Sequence, residues 1–210
     1  MSDKYQGFVR TPIGKLLVKN LGLPDPTPLA RYREGAPLVD GTVALGGTGR
    51  LAESLPGVLD LLGIATTTTT TPDPAQKYAG LVFDATSLTD AGSLGALRDW
   101  FTPLLRSLGT CPRIVVLGTP PEQTTGSERV AQRALEGFTR SVGKEVRKGA
   151  AAQLIYVAPG AEDGIDSTLR FLLSPRSAYV SGQVVRITDA VADPGEIDWE
   201  RPLQIGRAHV

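Results

Sequence analysis

The sequence predicts an α/β fold: a doubly wound, mostly parallel sheet with helices on both faces, forming a three-layer sandwich. Three observations predict it. Apolar, strand-like runs alternate with helical periodicities from residue 37 to about 190, the pattern of parallel strands joined by helical crossovers. The strand runs are almost continuously apolar, as strands covered on both faces are, Arg113-Ile114-Val115-Val116-Leu117 most clearly. A glycine-rich turn, Gly46-Gly47-Thr48-Gly49, follows the first run directly and leads into a helical segment.

The elements follow in order. Residues 1–36 read as an irregular arm with one amphipathic stretch at residues 12–21. The turn Pro24-Asp25-Pro26-Thr27-Pro28 is too proline-dense for regular helix. Lys15, Arg31 and Arg33 make the arm mildly basic, and packing on a neighbouring domain or subunit is preferred over an anion site. Residues 42–45 are the first strand and residues 50–62 the first helix of the alternating region. The six threonines at 66–71 read as a surface loop in preference to a poor second strand. Leu81-Val82-Phe83 is a strand. Leu94, Leu97, Phe101, Leu104, Leu105 and Leu108 recur at helical spacing and form one stripe. Residues 113–117 are a buried strand. Residues 127–148 are a long helix with Ala131, Ala134, Leu135, Phe138, Val142 and Val146 inward, closed by Gly149. A strand at 154–157, a helix at 166–173 and a strand at 183–187 complete the pattern. Crossovers should be right-handed.

Composition narrows the function. The chain has 210 residues, 41% hydrophobic and 21% charged, enough apolar surface for a real core. Lys plus Arg and Asp plus Glu number 22 each, so no global field draws the chain to nucleic acid or anionic membrane. The opening residues are polar and no apolar run reaches membrane-spanning length; a cytoplasmic location is expected. Cys111 is the single cysteine, so no internal disulfide is possible, and a packing role or a loop position is expected for it.

Gly46, Gly47, Thr48, Gly49 and Arg50 stand where a dinucleotide pyrophosphate would rest on backbone N–H groups. The spacing is faulty. A G-x-G-x-x-G reading from Gly47 ends on Ala52, and a T-G-x-x-x-G-x-G reading meets Leu45, Arg50 and Ala52. Arg50 puts a bulky side chain where backbone should approach phosphate, although its charge could itself contact an anion. A structural turn with a lost or altered ligand is the better reading, with a nucleotide site as the alternative. Asp84 lies at a strand end, where ligands bind in open sheets; a turn or helix cap is the preferred reading there.

Glu136-Gly137-Phe138-Thr139-Arg140-Ser141, Tyr156-Val157-Ala158-Pro159-Gly160, Phe171-Leu172-Leu173-Ser174 and Ala178-Tyr179-Val180-Ser181-Gly182-Gln183-Val184 occur in this order. Over residues 110–190 this resembles the C-terminal half of the short-chain dehydrogenase/reductases, which implies a Rossmann-type sheet. In that family a tyrosine on the long helix donates a proton, a lysine four residues later lowers its pKa and holds the cofactor ribose, and a serine ends the preceding strand. Aligning on Ala134-Leu135-Glu136-Gly137 puts Glu128 at the tyrosine position, Gln132 at the lysine position and Thr119 at the serine position. Glutamate is ionised near neutrality and glutamine carries no charge, so only the hydroxyl survives. The family's Asn-Asn-Ala-Gly reads here as Phe83-Asp84-Ala85-Thr86.

Arg31-Tyr32-Arg33, Gly80-Leu81-Val82-Phe83-Asp84-Ala85-Thr86, residues 129–138 and Asp198-Trp199-Glu200-Arg201-Pro202-Leu203 carry a closer likeness. Together with the glycine loop they make the chain similar to the flavodoxin-like, degenerate N-terminal domain of actinobacterial high-molecular-weight 3-oxoacyl-ACP reductases. The resemblance implies a domain at 37–190 that binds no cofactor, and a linker at 191–203 to a C-terminal reductase domain. It implies a parent that uses NAD(P)H on 3-oxoacyl thioesters of acyl-carrier protein or coenzyme A, and a homodimer. The arm and the two long helices are the candidate interaction elements, with plain core as the equal alternative for the helix stripes. Trp199 would pack the linker or anchor the second domain. Residues 204–210, which contain Ile205-Gly206-Arg207-Ala208-His209-Val210 and the single histidine, read as translated sequencing adapter. The contrasting reading is a stand-alone nucleotide- or flavin-binding protein, and a third is a reductase active by itself. Trp100 and Phe101 are expected in core or on helix surface, which gives a flavin little support.

Overall fold

The computed structural model describes residues 7–8, 11–21, 27–73 and 75–188. The expected linker, Trp199 and the 204–210 tail lie outside these residues, as does most of the Pro24–Pro28 turn. Helix α1 spans Pro12–Leu21; α2, Leu55–Leu61; α3, Gly95–Leu105; α4, Gly126–Glu145; α5, Ile165–Leu173. The strands are β1 (Thr42–Gly47), β2 (Thr66–Thr68), β3 (Tyr78–Asp84), β4 (Leu108–Gly118), β5 (Ala151–Val157) and β6 (Gln183–Ile187). They form one sheet in the order β2-β1-β3-β4-β5-β6. Every pairing is parallel.

Strand alternation sorts side chains into two cores. Val43, Leu45, Val82, Val115, Leu117, Ile155 and Val157 meet Leu55 and Leu59 of α2 and Ile165, Leu169, Leu172 and Leu173 of α5. Ala44, Leu81, Phe83, Ile114, Val116, Leu154 and Tyr156 meet α3 and α4 on the opposite face. The sandwich therefore has helices on both sides, which is why its strands are apolar on both faces. On the α3 side, Trp100 and Phe101 cross edge-on with centroids 4.8 Å apart, and Phe83 and Phe138 pack around them.

The structure corrects several expected bounds. Residues 66–68 of the threonine run are a strand, not a loop: Val43, Ala44 and Leu45 pair with Thr66, Thr67 and Thr68. Threonine's branched Cβ suits extended backbone, and three residues of pairing suffice for an edge. Helix α2 starts at Leu55 rather than residue 50 because residues 50–54 turn tightly under the glycine loop and Pro56 supplies the first helical turn. Helix α4 stops at Glu145; Val146 is already extended and Lys148 and Gly149 both take positive φ. Cys111 also has φ of 54°, inside a shifted register between β3 and β4.

The arm is only partly as expected. Residues 12–21 are helical, with Ile13, Leu16 and Leu21 exposed. Residues 27–36, expected to reach a neighbouring domain or subunit, contact this domain's own sheet. Ala30 N–H donates to Cys111 Sγ, Cys111 Sγ–H donates to Pro28 O, and the Arg176 guanidinium lies 3.6 Å from the centre of the Tyr32 ring.

Candidate functional site

In a sheet of this order, the β1 and β3 crossovers leave in opposite directions, and ligands of open α/β sheets sit at that switch point beyond the strand ends. Gly46 and Gly47 end β1, and Asp84 ends β3 directly opposite Gly47. The expected cofactor loop and Asp84 are thus brought together. Their chemistry is turned inward.

The Asp84 carboxylate is fully buried. Its Oδ2 accepts from Leu51 N–H at 2.7 Å. Its Oδ1 accepts from Thr86 N–H at 3.0 Å and from the Thr86 hydroxyl at 2.7 Å. The Thr86 hydroxyl oxygen in turn accepts from Arg50 N–H at 2.9 Å. The N–H groups of residues 50 and 51, at the turn that would face a phosphate, are therefore satisfied from inside. A buried carboxylate also stands where a dinucleotide would bring negative charge. Asp84 is a turn cap, and the N–H groups that it and Thr86 engage are not available to a pyrophosphate.

The glycines serve the same interior. A Cβ on Gly46 would lie 2.3 Å from the Trp100 ring. On Gly47, whose φ is +91°, it would lie 2.0 Å from Asp84 O, and on Gly49 2.1 Å from Thr86 Oγ1. These positions admit no side chain because the protein's own groups fill the space, and a ligand is not needed to explain them.

Arg50 closes the neighbouring strand ends. Its Nε donates to Glu162 Oε1 at 2.7 Å, its Nη1 to Thr119 Oγ1 at 2.6 Å, and its Nη2 to Val157 O. The guanidinium thus spans the carboxyl ends of β4 and β5. Burial by itself would raise the Glu162 carboxyl, but hydrogen bonds from its own N–H, from Arg50 and from Gly160 N–H, with the Arg50 charge, hold it below the usual carboxylate value. The charge of Arg50 meets an anion, as the sequence allowed, and that anion is a residue of this chain.

Of the three positions aligned with the family's catalytic residues, the structure brings Thr119 and Gln132 into direct contact. Gln132 is fully buried. Its Oε1 accepts from Thr119 N–H at 2.8 Å, and its Nε2 donates to Ala85 O and Leu88 O, both at 2.9 Å. Its backbone carbonyl accepts from the buried Tyr156 hydroxyl at 2.7 Å. Burial pushes the Tyr156 phenol far above its usual value, so it holds its proton as a structural donor. Gln132 clamps α4 to the ends of β3 and β4. Thr119 is buried and held by Gln132 and Arg50, while Glu128 is half-buried in the first turn of α4.

A cleft of about 310 Å³ remains beside this assembly. Gly47, Thr48, Ser87, Phe83 and Trp100 line it. Thr48 and Ser87 hydroxyls lie 3.3 Å apart at its mouth, and Trp100 Nε1–H is committed to Thr69 O. Among the described residues, no three His, Cys, Asp or Glu side chains group as metal ligands, and no helix is long and apolar enough to cross a membrane. The cap expected at Asp84 is present; what the sequence missed is its partner, Thr86. Its available signal was Asp-x-Thr at a strand end, a spacing that favours side-chain bonds to nearby backbone.

No protein-family profile matches the chain, and no curated protein sequence matches it. Solved structures do. A Serratia marcescens short-chain dehydrogenase/reductase superposes with a TM-score of 0.57 at 15% identity, covering 74% of this chain and 98% of that one. The NADH-type enoyl-[acyl-carrier-protein] reductase of Aquifex aeolicus gives 0.57 at 13%, covering 73% and 97%. A Bacillus cereus enoyl-acyl carrier protein reductase, solved with NADP+, gives 0.56 at 11%, covering 72% and 96%. At such identities the likeness establishes the fold alone: this chain has the parallel, Rossmann-like α/β fold that the short-chain dehydrogenase/reductases share.

Proposed function

We propose that this chain is a non-catalytic, short-chain-dehydrogenase-like domain of a 3-oxoacyl-[acyl-carrier-protein] reductase. It serves a structural or dimerisation role beside a reductase domain that carries the chemistry. The observation behind this reading is the internal engagement of the turn after the glycine loop. Asp84 and Thr86 consume the N–H groups of Arg50 and Leu51, and Arg50 covers the ends of β4 and β5. The residues at the family's proton-transfer positions add to it: Gln132 is a hydrogen-bonded clamp, and Glu128 cannot replace a tyrosine. The parent enzyme would take NAD(P)H and a 3-oxoacyl thioester of acyl-carrier protein or coenzyme A. This domain would bind neither nucleotide. The exposed face of α4, including Val130, is the surface offered to a second copy.

The test is direct. The chain alone, titrated with NADPH and NADH by fluorescence, should show no saturable binding and no turnover of an acetoacetyl thioester. NAD(P)H oxidation that is lost on Thr119→Ala would sink the proposal.

One observation favours a second reading, a stand-alone nucleotide- or flavin-binding protein. The cleft beside Trp100 lies at the switch point and could take a flat, uncharged ring. A yellow protein with flavin absorbance after purification would select this reading.

A further inference from the structure

The amino end of the sheet holds a charge that the reading above does not use. Arg113, in β4 where its pairing with β5 begins, is 2% exposed. A guanidinium so buried ordinarily faces a carboxylate. This one faces only carbonyl oxygens: Nε donates to Ser174 O at 3.3 Å, and Nη1 lies 3.0–3.4 Å from the carbonyls of Cys111, Pro112 and Gly149. Nη2 has no hydrogen bond among the described residues. Burial presses the guanidinium below its usual pKa, with the Cys111 side chain opposing.

Arg113 lines a crevice of about 540 Å³ between residues 28–40 of the arm and the strand starts. Arg31 and Arg33, both exposed, line it as well, and Asp40 is the single acidic side chain among its lining residues. Three guanidinium groups against one carboxylate leave two positive charges in one recess. Leu38, Val39 and Leu173 give it an apolar wall.

The geometry points to an anion-binding site at the amino end of the sheet, built from Arg113, Arg31 and Arg33, that takes a doubly charged phosphate monoester. The carbonyls that hold Nε and Nη1 fix the Arg113 guanidinium in place, its Nη2 edge supplies the donor for a phosphate oxygen, and the arm arginines close over the outer face. The site is independent of the closed glycine loop, some of whose atoms would have to reopen before any nucleotide entered there. For Arg31 and Arg33 the sequence favoured packing on a neighbouring domain or subunit over an anion site; the fold places them beside a buried third arginine.

The test uses the 210-residue chain with inorganic phosphate as probe. Adding protein should broaden the ³¹P resonance of phosphate, and phosphate should raise the melting temperature while acetate at equal ionic strength leaves it unchanged. The double variant Arg31→Ala/Arg33→Ala removes only exposed side chains. It should melt like the parent without phosphate and weaken the phosphate affinity by about tenfold or more, as expected for losing charge-assisted contacts. Arg113→Met should abolish binding; should it fail to fold, the double variant still decides. No response in the parent chain overturns the proposal. So does an equal response in the double variant, which would reflect general exclusion of phosphate from the surface. Equal binding of acetate overturns the doubly charged ligand.

Discussion

The two ends of the sheet treat buried charge in opposite ways. At the carboxyl end, each charged group meets a partner of its own chain: Asp84 takes two N–H groups and a hydroxyl, and Arg50 takes Glu162, Thr119 and Val157. At the amino end, Arg113 is as deeply buried yet meets only carbonyl dipoles, and two more arginines share its crevice. In open α/β sheets the first end is where ligands belong. Here that end engages its charged groups internally and keeps only the cleft beside Trp100, while the opposite end keeps a larger, charged recess. Fold alone does not locate function; the state of each polar group does.

The comparison can be broken most forcefully at Asp84. Asp84→Ala strands Leu51 N–H and Thr86 in a dry interior and should cost about 3–5 kcal/mol in urea unfolding. A loss under 1 kcal/mol would mean that water or another group satisfies the loop, and that the end is open after all. Gln132→Ala comes next, at about 2–4 kcal/mol, because three side-chain bonds vanish together. Gln132→Lys with Glu128→Tyr, which rebuilds the family's residue types, should yield no NADPH oxidation; turnover would show that the loop accepts a cofactor.

Gly46→Ala should cost about 1–3 kcal/mol through the clash with Trp100. Combined with Trp100→Leu, the loss should be smaller than the two single losses added, since one relieves the other. Equal additivity would remove the packing explanation. The smallest effect belongs to Arg50→Ala. Its pair with Glu162 is partly exposed, so the change should stay within about 1 kcal/mol at neutral pH. The folded Glu162 carboxyl titrates below its ordinary 4.5. The stability from this pair is therefore complete above that value and fades as pH falls through the lowered one. The gap between parent and Arg50→Ala should narrow in acid and stay constant from pH 6 to 8.

The sequence made most of the fold legible because apolar runs and helical stripes are local signals. Arg113–Leu117, the stripe through Leu97, Phe101 and Leu104, and the closing strand at 183–187 stand where their patterns put them, but Leu108, read as the end of that helical stripe, opens β4 instead. What escaped depended on contacts distant in the chain. Thr66–Thr68 looks like loop because its threonines are polar; only the open edge of β1 makes it a strand. The first helix shrank because residues 50–54 are held by Asp84 and Thr86, more than thirty positions away. At the site, loss of the family's residue types at 128 and 132 could be read directly. That Gln132 became a clamp could not, since its three bonds reach the backbone of three separate loop positions.

The contact between Gly46 and the Trp100 ring makes position 46 a lever on the indole. A side chain there has no room unless Trp100 moves, so Gly46→Ala should shift the tryptophan fluorescence and reshape the cleft that Trp100 lines before the sheet as a whole gives way.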